Sequence, residues 1–222
     1  MSEDVKGRRP YVSPRRREQA EATRAVILDA AERLFLRDGY TATPMPAVAA
    51  EANVALKTVY VAFTTKSRLL HELWNVRLGG DAEPVPVVAR PWYRDLLAEP
   101  DPQQLLRRFA AQSRRVKERA GGLMVVIRNG AGADPAVTGL WRLIQHEFHE
   151  VLGPIAAHLA EVGALAGHLT VATATDLLWT LNHPDVWHLL CVERGWTADA
   201  YEDWLLRSFQ TQLLRISPSG RT

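Results

Sequence analysis

Between Thr43 and Phe63 the chain leaves room for little besides two short helices. Thr43-Pro44 reads as an N-cap followed by proline at the first helical position, and Pro46 falls in the same first turn, where a missing N–H is no loss. A helix over residues 44–51 then turns Val48 and Ala49 inward. Ala52-Asn53-Val54 makes a three-residue turn, because asparagine accepts positive φ better than most residues. A second helix over 55–62 buries Val59, with Phe63 behind it.

The flanks are helical too. Val26, Ile27, Ala30, Ala31, Leu34 and Phe35 recur at helical spacing and form one apolar stripe from about Glu18 onward. Gly39 after Asp38 stops that helix, since glycine enters the left-handed region at little cost. Lys66 opens another, with Leu69, Leu70, Leu73 and Trp74 on one face. Gly79, Gly80, Pro84, Pro86 and Pro91 then mark a boundary or long loop. Beyond it, Asp101-Pro102 starts a helix expected to end near Gly121-Gly122, followed by a short apolar helix over 123–129. Asp134-Pro135 starts the next, and Gly153-Pro154 breaks it. A segment over 170–194, kinked at Pro184 and stopped by Gly195, precedes a last helix over 197–216 capped by Thr197. With no β alternation and no repeat, the class is all-α. A basic arm is expected over 1–17, a three-helix helix-turn-helix domain over 18–80, and a larger helical domain over 81–222.

Composition narrows the class of function. The single cysteine, Cys191, rules out an internal disulfide framework and a cysteine metal cluster, and its apolar neighbours point to an inert core thiol. No apolar run approaches the ~18 residues of a membrane span, and no apolar stretch follows the charged start, so a cytoplasmic protein is the expectation. His146-Glu147-Phe148-His149 spaces its histidines three apart rather than the four of a zinc His-Glu-x-x-His motif, so no metal is expected. No nucleophile-elbow, phosphate-loop or dinucleotide fingerprint occurs, so neither catalysis nor a cofactor is expected.

Two short helices across a tight turn, after a longer supporting helix, form a helix-turn-helix, which lays its second helix in the DNA major groove. Lys57 and Thr58 stand where they could reach base edges or phosphates, and Tyr60 offers a hydroxyl on a rigid ring. Thr43 and Lys66 sit at helix starts, where backbone N–H groups attract phosphate. An ordinary helical hairpin is the plain alternative. Residues 1–80 carry 13 Lys and Arg against 9 Asp and Glu, and no acid lies between Arg8 and Arg17. That excess suits a polyanion partner or a solvated tail.

Over residues 22–74 the sequence resembles the DNA-binding domain of the TetR family of bacterial transcriptional regulators. The resemblance runs through 27–35 (Ile-Leu-Asp-Ala-Ala-Glu-Arg-Leu-Phe), Asp38-Gly39-Tyr40, Thr43, Val48-Ala49, Val54, Thr58-Val59-Tyr60, Phe63, Lys66 and Leu69-Leu70. A fainter similarity covers 163–205. The resemblance implies a homodimer on double-stranded DNA, usually a repressor released by a small molecule. It also implies that Thr43, Tyr60 and Lys66 hold phosphates while the helix from Ala55 to residue 61 reads bases. Three positions depart from the family pattern. Asn53 stands where glycine is usual, Ala55 where serine or threonine often caps, and Ala62 where histidine is common. With few polar groups on that helix, readout rests on Lys57, Thr58 and apolar contact with thymine methyls. Arg15, Arg16 and Arg17 are expected to add phosphate or minor-groove contacts.

A two-fold DNA site needs a two-fold protein. The dimer face is expected on the last two helical segments, anchored by Leu177, Trp204, Leu205, Phe209 and Leu213, a stripe that must in part pack within its own subunit. A pocket for a largely apolar effector is expected where Trp141, Gln145 and His149 on one helix meet Trp179, Asn182, His183 and Trp187 on another, with Arg128 nearby, although plain core packing serves any single tryptophan as well. Two other readings remain: a DNA-binding activator without an effector, and a helical enzyme or scaffold with a vestigial helix-turn-helix.

Overall fold

The computed structural model describes residues 14–80 and 85–215. The first helix, α1 (Pro14–Ala42), runs straight through the apolar stripe and breaks only at Gly39, whose φ of 80° turns the chain. Helices α2 (Met45–Glu51) and α3 (Leu56–Ala62) follow, with Asn53 at φ 52° in the turn between them. Then comes α4 (Lys66–Gly79), capped by Thr65 and ended by left-handed Gly80. A 3-10 turn over Val87–Ala89 leads into α5 (Pro91–Leu97), a short helix that periodicity alone does not reveal. The body consists of α6 (Pro102–Gly130), α7 (Pro135–Glu150), α8 (Gly153–Glu161), α9 (Val171–Leu181), α10 (Pro184–Trp187) with a π-helical turn over His188–Glu193, and α11 (Ala198–Leu213). Among the described residues there is no strand beyond one isolated bridge, Leu165 to Leu214.

Three boundaries differ from the sequence expectation. Arg15, Arg16 and Arg17 belong to the first turns of α1 rather than to an irregular arm, and residues 1–13 lie outside the described residues. Helix α11 ends at Leu213, and Ile216 also lies outside them. The third difference matters most: Gly121 and Gly122 do not end a helix but sit inside α6, which continues for 29 residues. The glycines are there for close packing. A Cβ on Gly122 would meet the Leu36 side chain of α1 at 2.9 Å, and one on Gly121 would meet the Trp187 indole at 3.3 Å. Farther along, a Cβ on Gly130 would press on the Tyr40 Cβ at 3.0 Å and on its ring at 3.1 Å.

The approaches at Gly122 and Gly130 join the helix-turn-helix head to the body. One apolar core holds Ile27, Phe35, Val48, Val59, Phe63, Leu70 and Leu73, and continues into Leu123, Ile127, Val137, Leu140 and Ile144. A second core collects Tyr93, Leu105, Phe109, Ile155, Leu159, Leu178, Tyr201, Leu205 and Phe209. Helix α6 supplies both, its first half to the second core and its last half to the first. The boundary expected at residue 80 is therefore a change of chain direction, not of core.

Candidate DNA interface and effector cavity

Helix α3 is apolar inward and open outward. Val59 is fully buried, while Ala55, Leu56, Lys57, Tyr60 and Val61 are exposed and Thr58 is half-exposed. Lys57 makes no ion pair among the described residues. Ala55 stands at the N-cap with no side-chain bond to the first turn, where the Thr58 N–H donates to the Ala55 carbonyl at 2.8 Å. Val61 is 77% exposed, an apolar side chain that a folded monomer gains nothing by displaying. The far end of α3 is tied down instead. Arg24 of α1 donates to the Ala62 carbonyl at 2.6 Å and lies 4.3 Å over the Phe63 ring.

Two residues expected to touch phosphate do other work. Thr43 is buried, and its hydroxyl donates to the Gly39 carbonyl at 2.8 Å, closing the turn that ends α1. The cap position of α2 falls on Pro44, which has no donor or acceptor in its side chain. Lys66 donates from Nζ to the Tyr40 carbonyl at 2.8 Å and sits 4.2 Å from the centre of the Tyr40 ring. It satisfies carbonyls that the break at Gly39 leaves without helical partners. Burial pulls its pKa below the ordinary lysine value, with Asp134 opposing. The Tyr40 hydroxyl in turn donates to Asp134 Oδ2 at 2.5 Å, and Asp134 caps α7 through the Ala136 N–H. Burial first and this bond second raise the Tyr40 pKa, and the same bond holds the Asp134 carboxyl below the usual range. The end of α1, the start of α4 and the start of α7 thus meet at one polar joint.

A cavity of about 530 Å³ lies in the body, at the seam between the two cores. Its walls come from the last turns of α4 (Trp74, Asn75, Leu78), the 3-10 turn, Trp92 of α5, the middle of α6 and one face of α7. The lining is mostly apolar. At one end Lys117, Ser113 and Asn182 are all buried: Lys117 Nζ donates to Asn182 Oδ1, and Asn182 Nδ2 donates to Ser113 Oγ at 3.0 Å. Burial pulls the Lys117 pKa down to about 7.

Of the residues expected to form the effector site, only Asn182 lines this cavity. Trp141 packs against the first core. Gln145 pairs with His183 at 3.0 Å, His183 stands edge-on to Trp179, and His149 pairs with Asp176 at 3.0 Å. That network bridges α7 and α9. Trp187 backs onto Gly121 and meets Tyr201 edge-on, and Arg128 is paired with Asp185. The face of α7 that lines the cavity is a different one from that expected, and presents Ile144, Glu147, Phe148 and Val151. Lys117 also lines it and was not among the residues expected. The signal was present, because Phe109, Ser113, Lys117 and Gly121 recur every four residues, setting a lysine on an apolar stripe.

The dimer anchors need a similar correction. Leu205, Phe209 and Leu213 are fully buried within their own subunit, with Phe209 stacked on Phe109 at 5.5 Å. Only Leu177 and Trp204 stay half-exposed.

A helix-turn-helix head thus shares a core with a hollow helical body. Residues 27–73 match the family model described as bacterial regulatory proteins, tetR family. Solved structures share the fold across nearly their whole length. FadR from Bacillus subtilis, determined with stearoyl-CoA, is 17% identical with a TM-score of 0.67 over 84% of this chain and 97% of that one. NalD, the secondary repressor of the MexAB-OprM multidrug efflux pump in Pseudomonas aeruginosa, is 23% identical with a TM-score of 0.62 over 88% and 98%. PfmR from Thermus thermophilus, a TetR family transcriptional regulator, is 23% identical with a TM-score of 0.59 over 82% and 97%. No curated protein matches the chain at a significant level. Among the described residues no helix is long and apolar enough to cross a membrane, and no cluster of His, Cys, Asp or Glu is placed to hold a metal.

Proposed function

We propose that the protein is a homodimeric repressor that leaves its operator when a small molecule enters the cavity. The observation that carries this reading is that one helix serves both sites. The first turn of α4 holds Lys66 against the end of α1, and its last turns line the cavity. Arg77 of α4 clamps Glu32 and Asp29 of α1 at 2.5–2.9 Å, so α4 cannot shift without carrying the head. A ligand that fits the cavity better with α4 displaced would favour a conformer whose two heads no longer match the half-site spacing. A coupling of ~1–3 kcal/mol weakens operator binding by several-fold to a hundredfold.

On DNA, Lys57 and the Tyr60 hydroxyl are the phosphate and base-edge donors of α3, with Thr58 beside them. The exposed Leu56 and Val61 offer apolar surface to thymine methyls. Arg15, Arg16 and Arg17, in the first turns of α1, add charge toward the backbone. For the dimer, the half-exposed Leu177 and Trp204 and the exposed Leu189 and Val192 in the turn before α11 are the apolar surface available. Selection of bound fragments from the source genome, at near-physiological salt, tests the reading. An enriched palindrome supports it. Uniform binding that vanishes as salt rises overturns it. Linkage gives a second test: a ligand that weakens operator binding must itself bind more weakly, by the same factor, to the operator complex.

A further inference from the structure

The buried end of the cavity presents a cation without a counter-ion. Lys117 is 7% exposed, and among the described residues its ammonium has one protein acceptor, Asn182 Oδ1. No carboxylate pairs with it. The Tyr201 ring face lies 5.8 Å from Nζ, close enough to favour a cation but not to accept a hydrogen bond. Ser113 Oγ accepts from Asn182, and among the described residues no bond joins it to Lys117. An ammonium carries three donors, so two remain to be matched. The carboxylates that do line the cavity, Glu147 and Glu150, are exposed on α7, where water screens them. The rest of the wall is apolar and wide enough for a molecule with a sizeable hydrophobic body.

A buried charge is costly unless it is paired, and a cavity that holds one unpaired is built for the missing partner. We infer that this cavity selects amphipathic ligands with a single acidic head group, whose anion pairs with Lys117 while the apolar body lies along Trp92, Phe109, Met124 and Ile144. This rests on reading the cavity as the effector site. The depressed lysine pKa is the cost of the empty state, and an anion at Nζ removes it.

The test compares pairs of probes that share a body and differ in the head: dodecanoate against dodecan-1-ol, below micellar concentration, and 1-naphthoate against 1-naphthalenemethanol. The full chain is titrated without DNA by calorimetry and by tryptophan fluorescence, since Trp74 and Trp92 stand in the wall. The acid of at least one pair is expected to bind at least ~10-fold more tightly than its alcohol, about 1.4 kcal/mol. Lys117→Met should erase that difference and leave the alcohol's affinity within ~3-fold, about 0.7 kcal/mol. Asn182→Asp, which supplies an anion from the protein itself, should erase it without cutting the lysine. Alcohols binding as tightly as their acids, a preference that survives Lys117→Met, or no binding by any probe overturns the inference. Acid-selective binding with unchanged operator affinity upholds the head-group selection and overturns the regulatory role of the cavity instead.

Discussion

Replacing Lys117 by methionine should make the protein more stable, and the size of the gain should depend on pH. Lys117 titrates near 7 in the folded chain against an ordinary value of 10.5, because burial disfavours its charged form. The folded pKa is the lower one, so between about pH 7 and 10.5 the unfolded chain binds more protons, and stability rises with pH across that window. Below pH 7 both states carry the proton and the full penalty applies, about 5 kcal/mol at 1.36 kcal/mol per unit. Methionine is similar in length and removes that penalty, but it leaves Asn182 Oδ1 without a donor, at about 1–3 kcal/mol. The net expectation is a variant about 2–4 kcal/mol more stable than the parent at pH 6. The advantage should shrink by about 3 kcal/mol by pH 9, as the parent lysine sheds its proton. Urea unfolding of both proteins at pH 6, 7.5 and 9 measures this, and groups common to both cancel in the difference. A variant less stable than the parent at pH 6, or an advantage that does not vary with pH, refutes the account of Lys117 as an uncompensated buried cation.

Other expectations concern the head and its joint with the body. Lys57→Ala should weaken operator binding and reduce the salt slope by about one if it neutralises one phosphate, with stability unchanged; fluorescence anisotropy against salt reads both. Lys66→Met should show the opposite pattern, lowering the melting temperature while leaving the salt slope intact, since its ammonium is committed to the Tyr40 carbonyl. Tyr40→Phe should cost about 1.5–3 kcal/mol at neutral pH by removing a hydrogen bond to a charged acceptor. Because the Asp134 pKa is lowered, that contribution is present above the ordinary carboxylate range and fades as pH falls through the depressed value, a trend unfolding curves at pH 7 and pH 3 would resolve. Gly130→Ala should destabilise by about 1–3 kcal/mol through the Tyr40 ring, whereas Gly139→Ala, with open space around it, should stabilise by up to about 1 kcal/mol.

What the sequence disclosed depended on whether a residue's role was local. Asn53, Gly39 and Gly195 were legible as turns because positive φ is a property of one residue and its peptide neighbours. Asp101, Asp134 and Thr197 were legible as caps for the same reason. Gly121 and Gly122 misled, since an absent side chain reads equally as a stop or as room for a partner, and the partners, Trp187 and Leu36, lie far away in the chain. Thr43 was read as the cap of α2, which falls one residue later on Pro44, and Lys66 was placed at the correct helix start, but its bond runs to the Tyr40 carbonyl, which only tertiary folding brings close. The expected effector residues and the cavity part company for a geometric reason. A helix shows its amphipathic stripe in sequence but not which neighbour each edge of the stripe meets, so α7 was read by its tryptophan edge while the cavity lies along Ile144, Glu147 and Val151.

The arrangement of α4 has a mechanical side. Its 14 residues span about 21 Å, and its ends lie at the cavity and at the turn that closes α1. Pivoted about its middle, where Leu70, Leu73 and Trp74 are buried, such a rod behaves as a rigid lever. A tilt of only 5° moves each tip by roughly 1 Å, and each head of a dimer would move by at least as much. DNA half-sites are fixed at helical-turn spacing, so the two displacements add along the same groove axis or cancel across it according to the direction of tilt. The shape of a ligand, and not only its affinity, would then decide whether it loosens the protein from DNA or tightens it.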